Sequence, residues 1–381
     1  MRRFLFLLPF CPLLNAKDIH VGKDVPSIAA AIKAALPGDT IHLEPKVYHD
    51  YAGFYVKKGE PGRPITLDGH GATLEGSDPI DPTKWREVAP GLFANDALMP
   101  GLSDAVIGRW FFLFDGKIQL MGRTSKGKSA PLKKPEDLQS GEWTFVKDVS
   151  REKPPSMAIY GTFYLRLPPG KPLADANISA PMRSAGVQFG GENAHLVIKN
   201  LTATHPYNDG FNIHGDCRDV VFENIRAIEC GDDGISAHES AQYRVDGFVS
   251  IGNSTGICDT GTAQTSYHRV FIADCIGFDL FFLDDGRYRL TDAVIFSSAQ
   301  NPFTVTGRED RHCELEMDNV IFRRLTEPKK ALIAATAIVR AKRLTMENIS
   351  FDARGELKID MPETHADVAE LMKLVPPDYQ P

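Results

Sequence analysis

Two stretches of the chain are the same turn repeated. Asn208-Asp209-Gly210-Phe211-Asn212-Ile213 and Asp232-Asp233-Gly234-Ile235-Ser236-Ala237 lie 24 residues apart, and the pairs Asn200-Leu201 and Asn224-Ile225 ahead of them keep the same offset. Gly256-Ile257 and Gly277-Phe278 continue the series at offsets of 22 and 21, with Pro302-Phe303 as a degenerate further member. Short β-branched runs fall between the turns, at 196–198, 220–222, 248–251, 270–272 and 294–296. Such a period, made of short strands with Gly, Asn and Asp at corners, confines the chain to a solenoid whose repeats bury their apolar faces against one another. Leucine-rich repeats have a similar period, but their regular leucines and asparagine are missing. In a coil of this kind residues one period apart become neighbours about one strand spacing, ~4.8 Å, apart. Phe211, Ile235, Ile257 and Phe278 are therefore expected to stack inside the tube, with Leu201, Ile225, Phe248 and Phe271 in adjoining interior rows.

Near the start, residues 26–36 have helical spacing (Ile28, Ala29, Ile32, Ala35), stop at Pro37-Gly38 and lead into an alternating strand at 39–43. This order resembles the N-terminal end of secreted right-handed parallel β-helices, where a helix plugs the open tube. The fold expected is all-β: a right-handed, single-stranded parallel β-helix of the pectin lyase-like type with an N-terminal capping helix and a β-rich insertion. The insertion covers about 73–186. In it Trp110-Phe111-Phe112-Leu113-Phe114 before Asp115-Gly116-Lys117 reads as a hairpin, and Ile159-Tyr160 with 163–167 as a second strand pair. Its aromatics either line a groove or fill a satellite core. The stretch of about 328–381 reads as a C-terminal cap with a helix at 365–374, ended by Pro376-Pro377.

Residues 1–16 run Arg2-Arg3, an apolar stretch at 4–14 and Asn15-Ala16, which resembles a cleaved secretory signal. Residues 17–381 are then one domain of a secreted or periplasmic protein with no membrane span, and a monomer is the default. A formal net charge of −7 offers no phosphate-binding surface, which sets nucleic acid aside as a partner. Cys217, Cys230, Cys258, Cys275 and Cys313 include no close pair at metal-ligand spacing and read as free buried thiols. The chain has no phosphate-binding glycine loop before a helix, no His-Glu-x-x-His and no nucleophile elbow.

The period turns a motif into a constellation, because it brings Asp209, Asp232 and Asp233 to one corner of adjacent coils. Mutual repulsion would raise at least one of their pKa values into the range of a general acid. One protonated carboxyl and one or two ionised ones, with a water between them, are what an inverting glycosidase needs. The alternatives are local capping of the turns by Asp and Asn, and a Ca²⁺ site built from hard oxygen ligands; no other metal or cofactor is expected. His214 and His238 share the 24-residue register, and Glu239 follows His238. That ladder could bind a sugar or move a proton, with His238 beside the acids and His214 and Glu239 toward the substrate. His205 precedes the Asp209 corner as a further substrate-binding candidate, whereas His268 and His312 read as incidental.

Asn208, Asp209 and Gly210 followed by Gly231, Asp232 and Asp233 resemble the family 28 glycoside hydrolases, the polygalacturonases and their relatives, which carry Asn-Thr-Asp-Gly and Gly-Asp-Asp on successive coils. The resemblance covers roughly 195–285 and implies Asp232 as general acid, with Asp209 and Asp233 holding and deprotonating the water. It departs at the next two coils: Ser254-Thr255-Gly256 stands where the family has Gly-His-Gly, and Arg-Ile-Lys is absent. Arg287 and Arg308 are the available replacements, suited to clamping a uronate or sulfate. The expected function is cleavage of an acidic or otherwise substituted polysaccharide by hydrolysis. The alternatives are a β-elimination lyase, with Lys199 and Tyr243 as players for proton abstraction, and a non-catalytic carbohydrate-binding envelope protein.

Overall fold

The computed structural model describes residues 16–99, 102–124, 126–151, 159–309, 311–360 and 366–380, so all of the signal-like segment 1–16 except Ala16 lies outside the described residues. The chain winds as a right-handed parallel β-helix with two continuous sheets. The long sheet runs in order through Asp18–His20, Thr40–His42, Ile65–Glu75, Asn193–Thr204, Cys217–Ile228, Gln242–Ile251, Gln264–Ala273, Arg287–Ser297, Cys313–Arg324, Ala337–Glu347 and Glu356–Asp360. The short sheet stacks Ala52–Tyr55, Val187–Gly190, Phe211–Ile213, Asp233–Ala237, Thr255–Asp259, Phe278–Leu283, Asn301–Thr306, Lys329–Ile333 and Ile349–Ala353. The helix Ile28–Ala34 opens the tube; Ser27 Oγ caps it by accepting from Ala30 N, and Ile28, Ala31 and Ile32 bury its inner face.

The seven successive long strands from Asn193–Thr204 to Ala337–Glu347 turn a corner at equivalent residues in the left-handed region: Asn200, Asn224, Gly247, Arg269, Asp292, Asn319 and Arg343, all with φ between 42° and 85°. Asn and Gly enter that region at little cost, which explains the asparagine repeat seen in the sequence. The rungs also bond along the axis, Asn224 Nδ2 donating to Asn200 Oδ1 at 3.4 Å and Asn200 Nδ2 to Asp68 Oδ1 at 2.9 Å.

Inside the tube Phe211, Ile235 and Ile257 stack in register as expected, with Val187 ahead of them, but the row continues through Leu280 and Phe303, and Phe278 pairs instead with Thr255. The Gly-apolar match misleads here because Gly277 is not the counterpart of Gly256; Asp279 takes that place, and the strand starts two residues before Leu280. A second row runs Leu201, Ile225, Phe248 and Val270. Phe271 thus points out of the tube, where it meets Phe296 and Tyr379. Cys217, Cys230, Cys258, Cys275 and Cys313 are buried free thiols, with no disulfide among the described residues.

Between Glu75 and Val187 the chain leaves the coil and builds two antiparallel four-stranded sheets. The predicted hairpin is present as Phe112–Phe114 with Lys117–Gln119, and the latter part of the second predicted pair lies in Gly161–Arg166, which is flanked by Trp143–Lys147 and Leu92–Asn95. Trp110, Phe112, Trp143 and Phe163 are at most 1% exposed, so these aromatics fill a separate core. Trp110 stacks on Tyr207 at 6.0 Å, seating the insertion beside the corner that follows. Residues 329–360 continue the coils, and the segment from Ala366 to Tyr379 straps along the long sheet, with Leu371 and Ala366 buried against Phe271 and Phe296.

Candidate active site

Asp209 precedes the short strand Phe211–Ile213, and Asp232 precedes its neighbour Asp233–Ala237. Gly231 permits this corner to close, because a Cβ there would sit 2.6 Å from Tyr207 O. Asp209, Asp232 and Asp233 offer carboxylate oxygens that all lie within 4.8 Å of one another, and the three residues are 2%, 7% and 2% exposed. Three buried like charges at that range require compensation, and the insertion provides it. Lys126 Nζ lies 2.8 Å from Asp232 Oδ1 and 2.5 Å from Asp233 Oδ1, while Arg109 Nη1 lies 3.1 Å from Asp232 Oδ2. The loop that carries Lys126 is fastened to the coils on both sides: Thr124 Oγ1 bonds Ser254 Oγ at 2.6 Å, and the backbone of Lys128 exchanges two bonds with the Gln300 side chain.

Asp209 has different partners. Its Oδ1 accepts from Asp233 N at 3.1 Å and its Oδ2 from Ser236 Oγ at 2.7 Å. Ser236 Oγ in turn lies 3.2 Å from His238 Nε2, so a hydrogen-bonded path runs from the buried acid to the histidine. His238 stacks on His214 with centroids 4.0 Å apart and planes 3° from parallel, and His214 Nδ1 reaches Glu239 at 3.2 Å. Burial, followed by repulsion from Asp232, pushes Asp209 up to about 6 despite Lys126. Burial and the same neighbour push Asp233 well above the usual carboxylate range. Burial alone would lower Lys126, but Asp232 and Asp233 outweigh it and hold the ammonium charged. Burial and the stacked His214 push His238 down to about 4, which keeps it neutral at neutral pH.

The structure thus brings together Asp209, Asp232, Asp233, His238, His214 and Glu239, and separates the remaining candidates from them. His205 lies at the corner that ends the long strand, clamped between Glu75 at 3.0 Å and Glu229 at 3.0 Å. Burial opposes its charge, but the two glutamates outweigh it and raise its pKa to about 9, so it is a fixed imidazolium. Arg308 follows the far end of the short strand Asn301–Thr306 and pairs with Asp284 at 3.3 Å; Arg287 opens the long strand Arg287–Ser297. The coil register places both arginines beyond the C-terminal ends of the short strands, whereas the acids sit at the N-terminal ends. Lys199 pairs with Asp68 at 3.2 Å on the long sheet, and Tyr243 is buried inside the tube, donating to Asp259 at 3.2 Å, so neither faces the acidic corner.

Lys126, Arg109 and Ser236 are the members that the sequence did not single out. Ser236 occupies a register position equivalent to Asn212 and was visible in the repeat. The two cations come from a region with no period, where the only available signal was the need of three carboxylates for counter-charge.

No protein-family model and no curated protein matches the sequence. Among solved structures, that of XylC in complex with xylose matches with a TM-score of 0.51 and 13% sequence identity, over 86% of this chain and 69% of XylC. At that identity the likeness is one of fold, and it joins the strand register in placing the chain among the parallel β-helix proteins.

Proposed function

We propose that the chain is a secreted, carbohydrate-active β-helix enzyme that hydrolyses a glycosidic bond in an acidic or otherwise substituted polysaccharide. The observation that carries this reading is the convergence of Asp209, Asp232 and Asp233 at one corner, with their oxygens within 4.8 Å. In the arrangement described, Lys126 and Arg109 favour the ionised form of Asp232. The proton-donor role that the resemblance implies for Asp232 therefore requires these cations to withdraw as the saccharide enters. Once they withdraw, mutual repulsion of the three carboxylates favours uptake of a proton, and the remaining ionised groups can orient and deprotonate the water. Asp209 and Asp233, already raised by burial, keep the cluster poised for such exchange.

A second reading, β-elimination, draws on His238, which is neutral at neutral pH and so able to accept a proton. The three carboxylates have the donor type for Ca²⁺, which would compete with Lys126 for their oxygens and would then neutralise a uronate. The two readings separate in one experiment: digestion of a panel of acidic and neutral polysaccharides, xylan among them, with and without chelator. Both new reducing ends and the ultraviolet absorbance of an unsaturated uronate are followed. Reducing ends without absorbance, abolished by Asp232→Asn, support hydrolysis. Absorbance means elimination, and its loss with chelator assigns the metal; absence of both products across the panel favours a binding protein.

A further inference from the structure

The first strand of the short sheet carries a feature outside the acidic corner. Tyr55 and Tyr51 are 58% and 40% exposed. Gly53 lies two residues before Tyr55 on the same strand, and Gly190 is the direct partner of Tyr55 on the next. A Cβ on Gly190 would stand 2.9 Å from Tyr55 Cδ1, while one on Gly53 would stand 2.8 Å from Tyr55 Cε2 and 2.9 Å from Tyr51 Cε2. Opposite edges of the Tyr55 ring therefore rest on the backbones of two strands. The phenol lies flat across the sheet and turns one face to solvent, a pose that any side chain at position 53 or 190 would disturb.

The register carries this ring toward the corner. Phe54, Phe189, Ile213 and Ala237 are partners on four successive strands, so Tyr55, Gly190, His214 and His238 form the next row along the tube. The axial distance from Tyr55 to the coil of His214 is two strand spacings, roughly 10 Å. Beside Tyr55 is an open groove of about 320 Å³ whose lining includes Lys33 and Lys57 and no carboxylate. Lys57 Nζ is occupied by the carbonyls of Lys33 and Ala35 at the end of the capping helix. This end of the face thus presents ammonium groups with no carboxylate in the groove lining.

We propose that Tyr55, laid flat on Gly53 and Gly190 and flanked by Tyr51 and Lys33, is a platform that stacks one anionic sugar unit of a chain running along the short sheet to the acidic corner. The inference rests on the carbohydrate reading above and adds to it a remote subsite, a direction for the bound chain and a charge preference. An aromatic face suits the apolar C–H face of a sugar ring, and an ammonium at its side suits a carboxylate or sulfate.

The test measures binding without turnover, in the Asp232→Asn protein, by calorimetry with a galacturonate hexamer and a neutral xylose hexamer as probes. The galacturonate hexamer should bind more tightly, and Tyr55→Ala should weaken it about tenfold. Gly190→Ala keeps both tyrosines but lifts the ring, and should weaken binding to a similar extent; Lys33→Gln should weaken only the anionic probe. Tyr51→Ala serves where Gly190→Ala does not fold. Binding by the Tyr55 and Gly190 variants equal to the parent overturns the platform, as does failure of the parent to bind either hexamer. Tyr55-dependent binding in a protein whose unsubstituted form cleaves nothing in the panel would leave the platform standing and overturn the hydrolase reading.

Discussion

The coils and the insertion are built by different rules, and the candidate site lies where they meet. In the coils a residue's position follows from its partner one turn earlier: Val187, Phe211, Ile235 and Ile257 form one row because each short strand repeats the last. The insertion has antiparallel sheets and an aromatic core of its own around Trp110, Trp143 and Phe163. The three carboxylates come from the coils, and the two cations that compensate them come from the insertion. An acidic corner of this kind would be costly in a bare tube, so the insertion is part of what lets the coils hold it.

The largest effect should follow from cutting that link. Lys126→Met leaves Asp232 and Asp233 buried without their shared ammonium, which should cost about 3–5 kcal/mol of stability at pH 7. The loss should shrink on acidification. A carboxyl whose folded pKa is raised binds its proton more tightly in the native state, so stability falls as pH rises from the unfolded value of 3.8 to the folded value of about 6 shown by Asp209. Urea denaturation at pH 7 and pH 4.5 checks both statements, and adding Asp233→Asn should restore part of the loss. Equal stability of Lys126→Met and parent at pH 7 would mean that the corner does not depend on the insertion.

Within the coils, Leu280→Ala should cost about 2–5 kcal/mol, because it opens a cavity in the interior row between Ile257 and Phe303. Phe278→Ala should cost less, since that ring sits at the edge of the tube, 9% exposed and stacked on Phe281. The reverse order in thermal denaturation would restore the alignment expected from Gly277-Phe278. The comparison shows what a repeat makes legible. Asp209, Asp232, Asp233, His214 and His238 could be placed together from spacing because neighbours one turn apart share a face. The alignment failed at Phe278, where Asp279 stands in the glycine's place, and at Phe271, where the side-chain alternation of the strand was off by one. Lys126 and Arg109 could not be placed, since antiparallel strands with irregular loops give no rule linking position 126 to position 232. The flat pose of Tyr55 was hidden for a related reason: it depends on Gly190, on the far side of the insertion.

The root of the insertion offers a test with the opposite pH sign. Glu75 ends the last long strand before the chain departs, and it holds His205 together with Glu229, while Phe111 of the insertion lies 6.4 Å from the imidazole. A histidine raised from 6.5 to about 9 contributes about 3 kcal/mol. That contribution is complete below pH 6.5 and is lost as pH rises through 9. His205→Gln should therefore destabilise the protein by about that amount at pH 6 and by little at pH 10. An equal loss at both pH values would assign the effect to packing against Phe111 instead of charge.

The smallest effect concerns the corner that every coil repeats. Asn224 holds φ at 50° between Asn200 and Gly247, each of which adopts the same left-handed conformation on its own coil. Asn224→Gly should change stability by less than about 0.5 kcal/mol, since glycine already serves at the next rung and the lost amide bond to Asn200 is a long one, 3.4 Å. Asn224→Ala should cost about 1–2 kcal/mol, because alanine lacks the short polar side chain whose local hydrogen bonding lets asparagine hold the left-handed region. If the two variants unfold together, the corner is held by its neighbours and the asparagine repeat is not a backbone requirement. If they separate as expected, each rung makes its own conformational demand, a local constraint that the 24-residue register renews from one coil to the next.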